Sequence, residues 1–264
     1  MTGRVTAVAE WLAERLRDVS MWPINLVRDF PTRAARWLGT FWRGVRGLVS
    51  LLPEGAQARR ERRTAVWRRQ KLGRLADGLH QLCIQTFDLL GGPEIAQCLM
   101  HLGARTSPLS SAEIALIARV LGPDALRFGD VRVAEGGLYH LVFRFNGNLA
   151  FATWHTIHLP LDGRCTRANL PIVVHELTHV FQYERVGSRY LGEAIYMLIK
   201  TKRDCYNYGG AAGLREAQAA GRRYRDYNRE QQAQITQDYF TLCEKGSDVT
   251  AYEPFIAQVR AGEL

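Results

Sequence analysis

The stretch from Asn169 to Tyr183, Asn-Leu-Pro-Ile-Val-Val-His-Glu-Leu-Thr-His-Val-Phe-Gln-Tyr, constrains this chain more tightly than any other. Pro171 suits the first turn of a helix, where its missing N–H costs nothing, and Asn169 is a suitable N-cap. Ile172, Val173, Val174, Leu177, Val180 and Phe181 then put apolar side chains on most sides, so the pattern predicts a buried helix. His175 and His179 fall one turn apart on a common face, where both imidazoles can reach one ion at the Zn–N distance of about 2.0–2.1 Å. Glu176 lies about 100° further round, beside the ligands and not among them. A carboxylate in that position can take a proton from a water activated by the metal. Without such a task, two histidines and a glutamate would be expensive guests in an apolar interior.

A third ligand is required. No histidine follows His179, and Tyr183, Glu184, Arg185, Val186 and Gly187 break any His-x-x-Gly-x-x-His continuation. The ligand is therefore expected to be a carboxylate. Glu230, in the helical run Asp-Tyr-Asn-Arg-Glu-Gln-Gln-Ala-Gln-Ile-Thr-Gln-Asp-Tyr-Phe, is the stronger candidate, because small Ala233 lets its helix approach the metal helix closely. Glu193, fourteen residues after His179, is the alternative.

With its downstream Tyr-Asn-Arg-Glu-Gln-Gln-Ala run (Tyr227 to Ala233), the His-Glu-Leu-Thr-His helix resembles the glutamate zincins, or gluzincins. More narrowly, it is similar to a bacterial family of metallopeptidase-like proteins that carry a Vgr-related label. Leu90 to Glu94 and the Val-Arg-Val of residues 131–133 belong to the same likeness, which covers roughly residues 85–245. The resemblance implies an α+β, zincin-like fold: a small sheet, the metal helix and a second ligand-bearing helix. It also implies zinc at His175, His179 and Glu230, with Glu176 as general base in a zinc-dependent metalloendopeptidase acting on peptides or proteins. The alternative it suggests is a zinc-binding structural or delivery component, without catalysis, of a bacterial secretion or phage-tail-like particle. One position departs from the pattern. Many gluzincins place an Asp four residues after the ligand glutamate to orient a histidine, and here that residue is Gln234, with Asp238 or another group left to do so.

Charge divides the chain. Residues 1–75 hold 16 Lys and Arg against 6 Asp and Glu, while the whole chain is only +9. We therefore expect a basic, mostly helical region over residues 1–75 and the metallopeptidase domain over residues 76–264. Within the first, residues 5–20 and 34–52 read as amphipathic helices separated by Pro23 and Pro31. In the second of these, Trp37, Leu38, Phe41, Trp42, Val45, Leu48, Val49 and Leu52 oppose Arg36, Arg43 and Arg46. That face suits either a membrane surface or a dock on the chain's own core. The charged run 58–74 reads as a solvated helical linker. No nucleic-acid-binding signature accompanies it, so no specific nucleic-acid partner is expected.

Further helices are expected over 75–90, 93–101 and 111–120, the last opened by a Ser110–Glu113 capping box. Short strands are expected over 129–134, 138–145 and 149–159, the last as the edge strand over the cleft. Donors for an oxyanion are sought among His155, His158, Tyr206, Tyr208, Tyr224 and Tyr227, with Tyr208 and Tyr227 favoured. The five cysteines show no Cys-x-x-Cys pair and read as free thiols. Neither a signal peptide nor a transmembrane run is apparent, so a cytoplasmic or membrane-peripheral location is expected.

Overall fold

Long three-four periodicities make helix the dominant element, and the computed structural model describes residues 2–60, 64–136 and 139–264 of an α+β protein. In chain order come α1 (Thr2–Val49), α2 (Leu51–Arg60), α3 (Thr64–Leu89) and α4 (Gly92–Leu102). Then follow β1 (Arg105–Ser107), α5 (Ser111–Leu121), β2 (Arg132–Glu135), α6 (His140–Asn146), β3 (Phe151–Thr153) and β4 (Thr156–Leu159). The rest is helical: α7 (Leu170–Val186), α8 (Arg189–Thr201), α9 (Gly210–Ala219), α10 (Arg229–Glu244) and α11 (Glu253–Arg260). Among the described residues, no helix is long and apolar enough to cross a membrane.

Contacts divide the chain into two compact units, Ser20–Ile95 and Met1–Val19 with Ala96–Leu264. This is a different boundary from the change of charge near residue 75. In the smaller unit, Arg33 is buried and tied to the Asp88 carbonyl at 2.6 Å and to the Glu94 carboxylate at 3.0 Å. Trp37 donates its indole N–H to Thr86 at 3.0 Å. The turn between α3 and α4 needs Gly91, whose φ of +79° is unfavourable for other residues.

In the larger unit the sheet order is β1-β2-β4-β3, with β2 and β4 parallel and the other pairs antiparallel. α7 packs against β3 and β4 and, most extensively, against α10. Every residue from Val173 to Tyr183 is buried, as an all-round apolar helix requires. Leu177, Val180 and Phe181 are fully enclosed, each worth about 1.5–3 kcal/mol of burial. α5 opens with the expected capping box: Glu113 N donates to Ser110 Oγ at 3.2 Å, and the Glu113 carboxylate accepts from Ser110 N. Arg167 grips that carboxylate with two bonds of 2.7 Å, and the guanidinium holds its pKa down at about 2. The start of α1 is tied in by His101, which bonds Asp18 through Nδ1 and Thr156 through Nε2, both at 2.8 Å.

Four local expectations are corrected. Pro23 and Pro31 lie inside α1 and do not end it. Each removes one ladder bond, and the turn after Pro31 is held by Arg33, which donates to the Asp88 carbonyl. The expected strand 138–145 is α6 instead, with Leu138 outside the described residues. Only Phe143 of that helix is buried, and Gly147 ends it in the left-handed region at φ +79°. Asn146-Gly147-Asn148 therefore stops the helix. The expected strand 129–134 begins later, because Phe128–Asp130 forms a 3-10 turn before β2. The expected strand 149–159 is the β3–β4 hairpin, turned at Trp154 with φ +52°. Of the charged linker, residues 61–63 lie outside the described residues, and the rest is in α2 and α3.

Candidate metal centre

The first turn of α10 carries Glu230 and is set by a capping box in which the Asn228 side chain accepts from Gln231 N at 2.9 Å. Ala233 is fully buried, and α10 packs against α7. Across that contact, Glu230 Oε2 lies 3.4 Å from His175 Nε2 and 3.6 Å from His179 Nε2. One donor atom from each of the three residues falls within 4.8 Å of the other two, and all three residues are buried. Ligands about 2.05 Å from a tetrahedral ion stand about 3.3 Å apart, so the two carboxylate–imidazole spacings fit a bound zinc. Glu193, the alternative ligand, is not in this group. It accepts from Arg189 at 2.5 Å and from Arg229 at 2.7 Å, and so braces the residue preceding Glu230.

The hydrogen bonds assign a tautomer. The Gln182 amide nitrogen donates to the Arg229 carbonyl at 2.9 Å and to Gln232 Oε1 at 3.0 Å, so its oxygen is the acceptor toward His179 Nδ1 at 2.8 Å. In its neutral form, with the proton on Nδ1, the imidazole presents its Nε2 lone pair toward Glu230, as a metal ligand needs. Gln232, also fully buried, donates onward to the carbonyls of Tyr224 and Tyr227. Gln182 thus orients the histidine. Asp238 does not, because it accepts from Tyr208 at 2.5 Å and from Gln234 at 2.8 Å.

Electrostatics call for positive charge at this point. Burial raises the Glu230 pKa, but His179 and the bonds from both imidazoles outweigh it and hold the carboxyl well below the usual range. Burial lowers the His179 pKa, and Glu230 reverses the sign, leaving it at about 9. Glu176 is pushed up by burial, with the two imidazoles opposing. Two buried polar atoms, His175 Nδ1 and Glu176 Oε2, have no hydrogen-bond partner among the described residues.

A cleft of about 430 Å³ opens over these groups. It is lined by His175, Glu176, His179 and Glu230, by Phe151 and Ala152 of β3, and by Leu191, Ala194, Ile195 and Leu198 of α8. The edge that β3 offers is shorter than a strand over 149–159 would give. Tyr190 donates its hydroxyl to the Ala152 carbonyl at 3.2 Å and accepts from Trp154 N at 2.9 Å, occupying that end of the edge.

Of the six donor candidates, Tyr206 alone lines the cleft, its ring 5.9 Å from that of His175. Tyr208 is bound to Asp238 and Tyr252, Tyr224 to the Gln232 carbonyl, and Tyr227 packs on Phe255 under Arg222. His155 meets Glu184 at 2.9 Å. His158 is fully buried, stacked on Phe151 and bonded to Thr153 at 2.8 Å. The favoured pair was thus misplaced, since a tyrosine's neighbourhood in the chain says little about where its hydroxyl ends. Gln182 was legible in principle, three residues after His179 and so on the same helical face; nothing in the sequence pointed to Tyr190.

Two consequences are measurable. Gln182→Leu is expected to weaken zinc binding by about 10–100-fold, the usual effect of losing an outer hydrogen-bond partner. It should also lower stability by about 1–3 kcal/mol for each buried partner left unsatisfied. Metal titration and denaturant melts check both. His158 gives a pH dependence: burial, with a smaller effect from His101, lowers its pKa from 6.5 to about 3. The unfolded chain takes up that proton first. Stability is therefore full above pH 6.5 and falls by up to about 4 kcal/mol as pH drops toward about 3. His158→Phe should flatten that part of the melting profile; an unchanged slope assigns it to other groups.

Compared with family models, curated proteins and solved structures, the chain matches none of them.

Proposed function

We propose that the chain is a zinc-dependent hydrolase with a zincin-like catalytic domain, most specifically a metalloendopeptidase. The observation that carries the reading is the convergence of His175, His179 and Glu230 in one buried group, beside a Glu176 carboxylate oxygen that has no hydrogen-bond partner among the described residues, all lining one cleft. A small sheet with β3 at its edge, a metal helix α7 and a ligand-bearing helix α10 support the zincin-like comparison.

His175, His179 and Glu230 would hold the ion, which when bound supplies a Lewis acid for a carbonyl and lowers the pKa of a nearby water. Glu176 receives the proton of the attacking water on its carboxylate and delivers it to the leaving amine, so the base is regenerated as the C–N bond breaks. Gln182 keeps the His179 lone pair aimed at the ion. The free part of the β3 edge aligns an extended chain beside these groups, and Leu191, Ile195 and Leu198, which also line the cleft, receive its apolar side chains.

A second reading, a zinc-binding module without turnover in a secretion or phage-tail-like particle, draws on one observation. His179 Nδ1 meets a neutral amide and His175 Nδ1 has no partner, so among the described residues no carboxylate accepts from either Nδ1. Elemental analysis and cleavage assays on unfolded protein substrates separate the two. The peptidase reading expects one zinc per chain and cleavage that is abolished by chelator and restored by zinc. Stoichiometric zinc with no cleavage across a denatured proteome would leave the second reading standing, and no zinc would remove both.

A further inference from the structure

The smaller unit carries an apolar face that its own core leaves uncovered. At about 100° per residue, Val27, Leu38, Phe41, Trp42, Leu48 and Val49 of α1 fall within an arc of about 120°. These are the positions a core-facing helix would bury, yet Val27 is 74%, Trp42 57% and Val49 72% exposed. Of α1 within this unit, the described positions that are buried are Thr40 and Arg33, both outside that arc. Arg28, Arg36, Arg43 and Arg46 sit beside and behind the apolar arc. Residues 20–95 hold 13 Lys and Arg against 6 Asp and Glu, a net charge of +7.

We propose that this face of α1 lies in the interfacial layer of a bilayer rich in anionic lipid. The amphipathic stretch from Ile24 to Val49 is about 39 Å long and would lie along the surface, since no described helix qualifies as a span. Aromatic rings settle at the headgroup boundary, and the flanking arginines reach lipid phosphates while their stems cover apolar surface. Charge selects this occupant over a second copy of the chain, which would set +7 against +7. The arc is also wider than the narrow seam of a coiled coil.

The test is flotation of the full-length protein with vesicles of phosphatidylcholine alone or mixed with phosphatidylglycerol, for wild type and for Trp42→Glu with Val49→Glu. Both positions are exposed, so the variant should keep its helical circular dichroism and melting temperature. The expected result is binding to the anionic vesicles that falls with salt and is weakened roughly tenfold or more in the variant. Failure to bind anionic vesicles, or equal binding by the variant, overturns the proposal. So does lipid-free dimerisation by light scattering that the variant abolishes, which would assign the face to a second copy.

Discussion

Glu176→Gln is expected to lower the rate of hydrolysis by about 10²–10⁴-fold while the protein keeps its full complement of zinc. The separation follows from geometry. Glu176 is displaced around α7 from the ligand face, and the groups close enough to share an ion are His175, His179 and Glu230. Glutamine has the same shape but cannot accept and return a proton at that atom, so kcat should fall with little change in KM. Stability should be unchanged or slightly raised, because the substitution removes an ionisable group from a buried position where burial already disfavours its charge. Cleavage kinetics, elemental analysis and a thermal melt on the same preparation check the three parts. A variant that cut candidate peptides as fast as wild type would remove Glu176 from the chemistry and leave the metal group intact.

Glu230→Gln is expected to abolish stoichiometric zinc, with an affinity loss exceeding the 10–100-fold typical of an outer hydrogen-bond partner. Glu230 is the one anionic member of the group, and its carboxylate stands 3.4 and 3.6 Å from the two imidazole nitrogens. A neutral amide keeps the volume and forfeits the attraction to a divalent cation. Glu193→Gln is the matched control and should retain zinc, since Glu193 is engaged with Arg189 and Arg229. Equilibrium dialysis against a competing chelator reads both variants. Equal retention by Glu230→Gln and wild type would sink the proposed ligand set, and with it the catalytic reading.

Much of the candidate site was legible before any coordinates, because its logic is local. Helical period puts His175 and His179 on one face, and Pro171 marks where that helix starts. The Ser110–Glu113 capping box is likewise a matter of three residues. Other readings went wrong where two local signals agreed with two structures. Residues 138–145 are rich in aromatic and β-branched side chains, which suit a strand, yet burial of Phe143 with exposure of Leu141, Val142 and Phe145 belongs to a short surface helix. Pro23 and Pro31 signal a break, and the helix runs through both.

Sequence alone determined the residue types and spacing of a metal-capable helix, a carboxylate-bearing helix downstream of it and the concentration of basic charge before residue 75, because each is written in composition or in contacts within a few turns. Tertiary structure decided between Glu230 and Glu193 as the acid beside the imidazoles, made Gln182 the orienting group in place of Asp238, and seated Tyr190 on the edge of β3. It also left the apolar arc of α1 uncovered. These depend on pairings between residues tens of positions apart, such as His179 with Glu230, whose closeness comes from how helices and sheet pack and not from the order of residues along either segment.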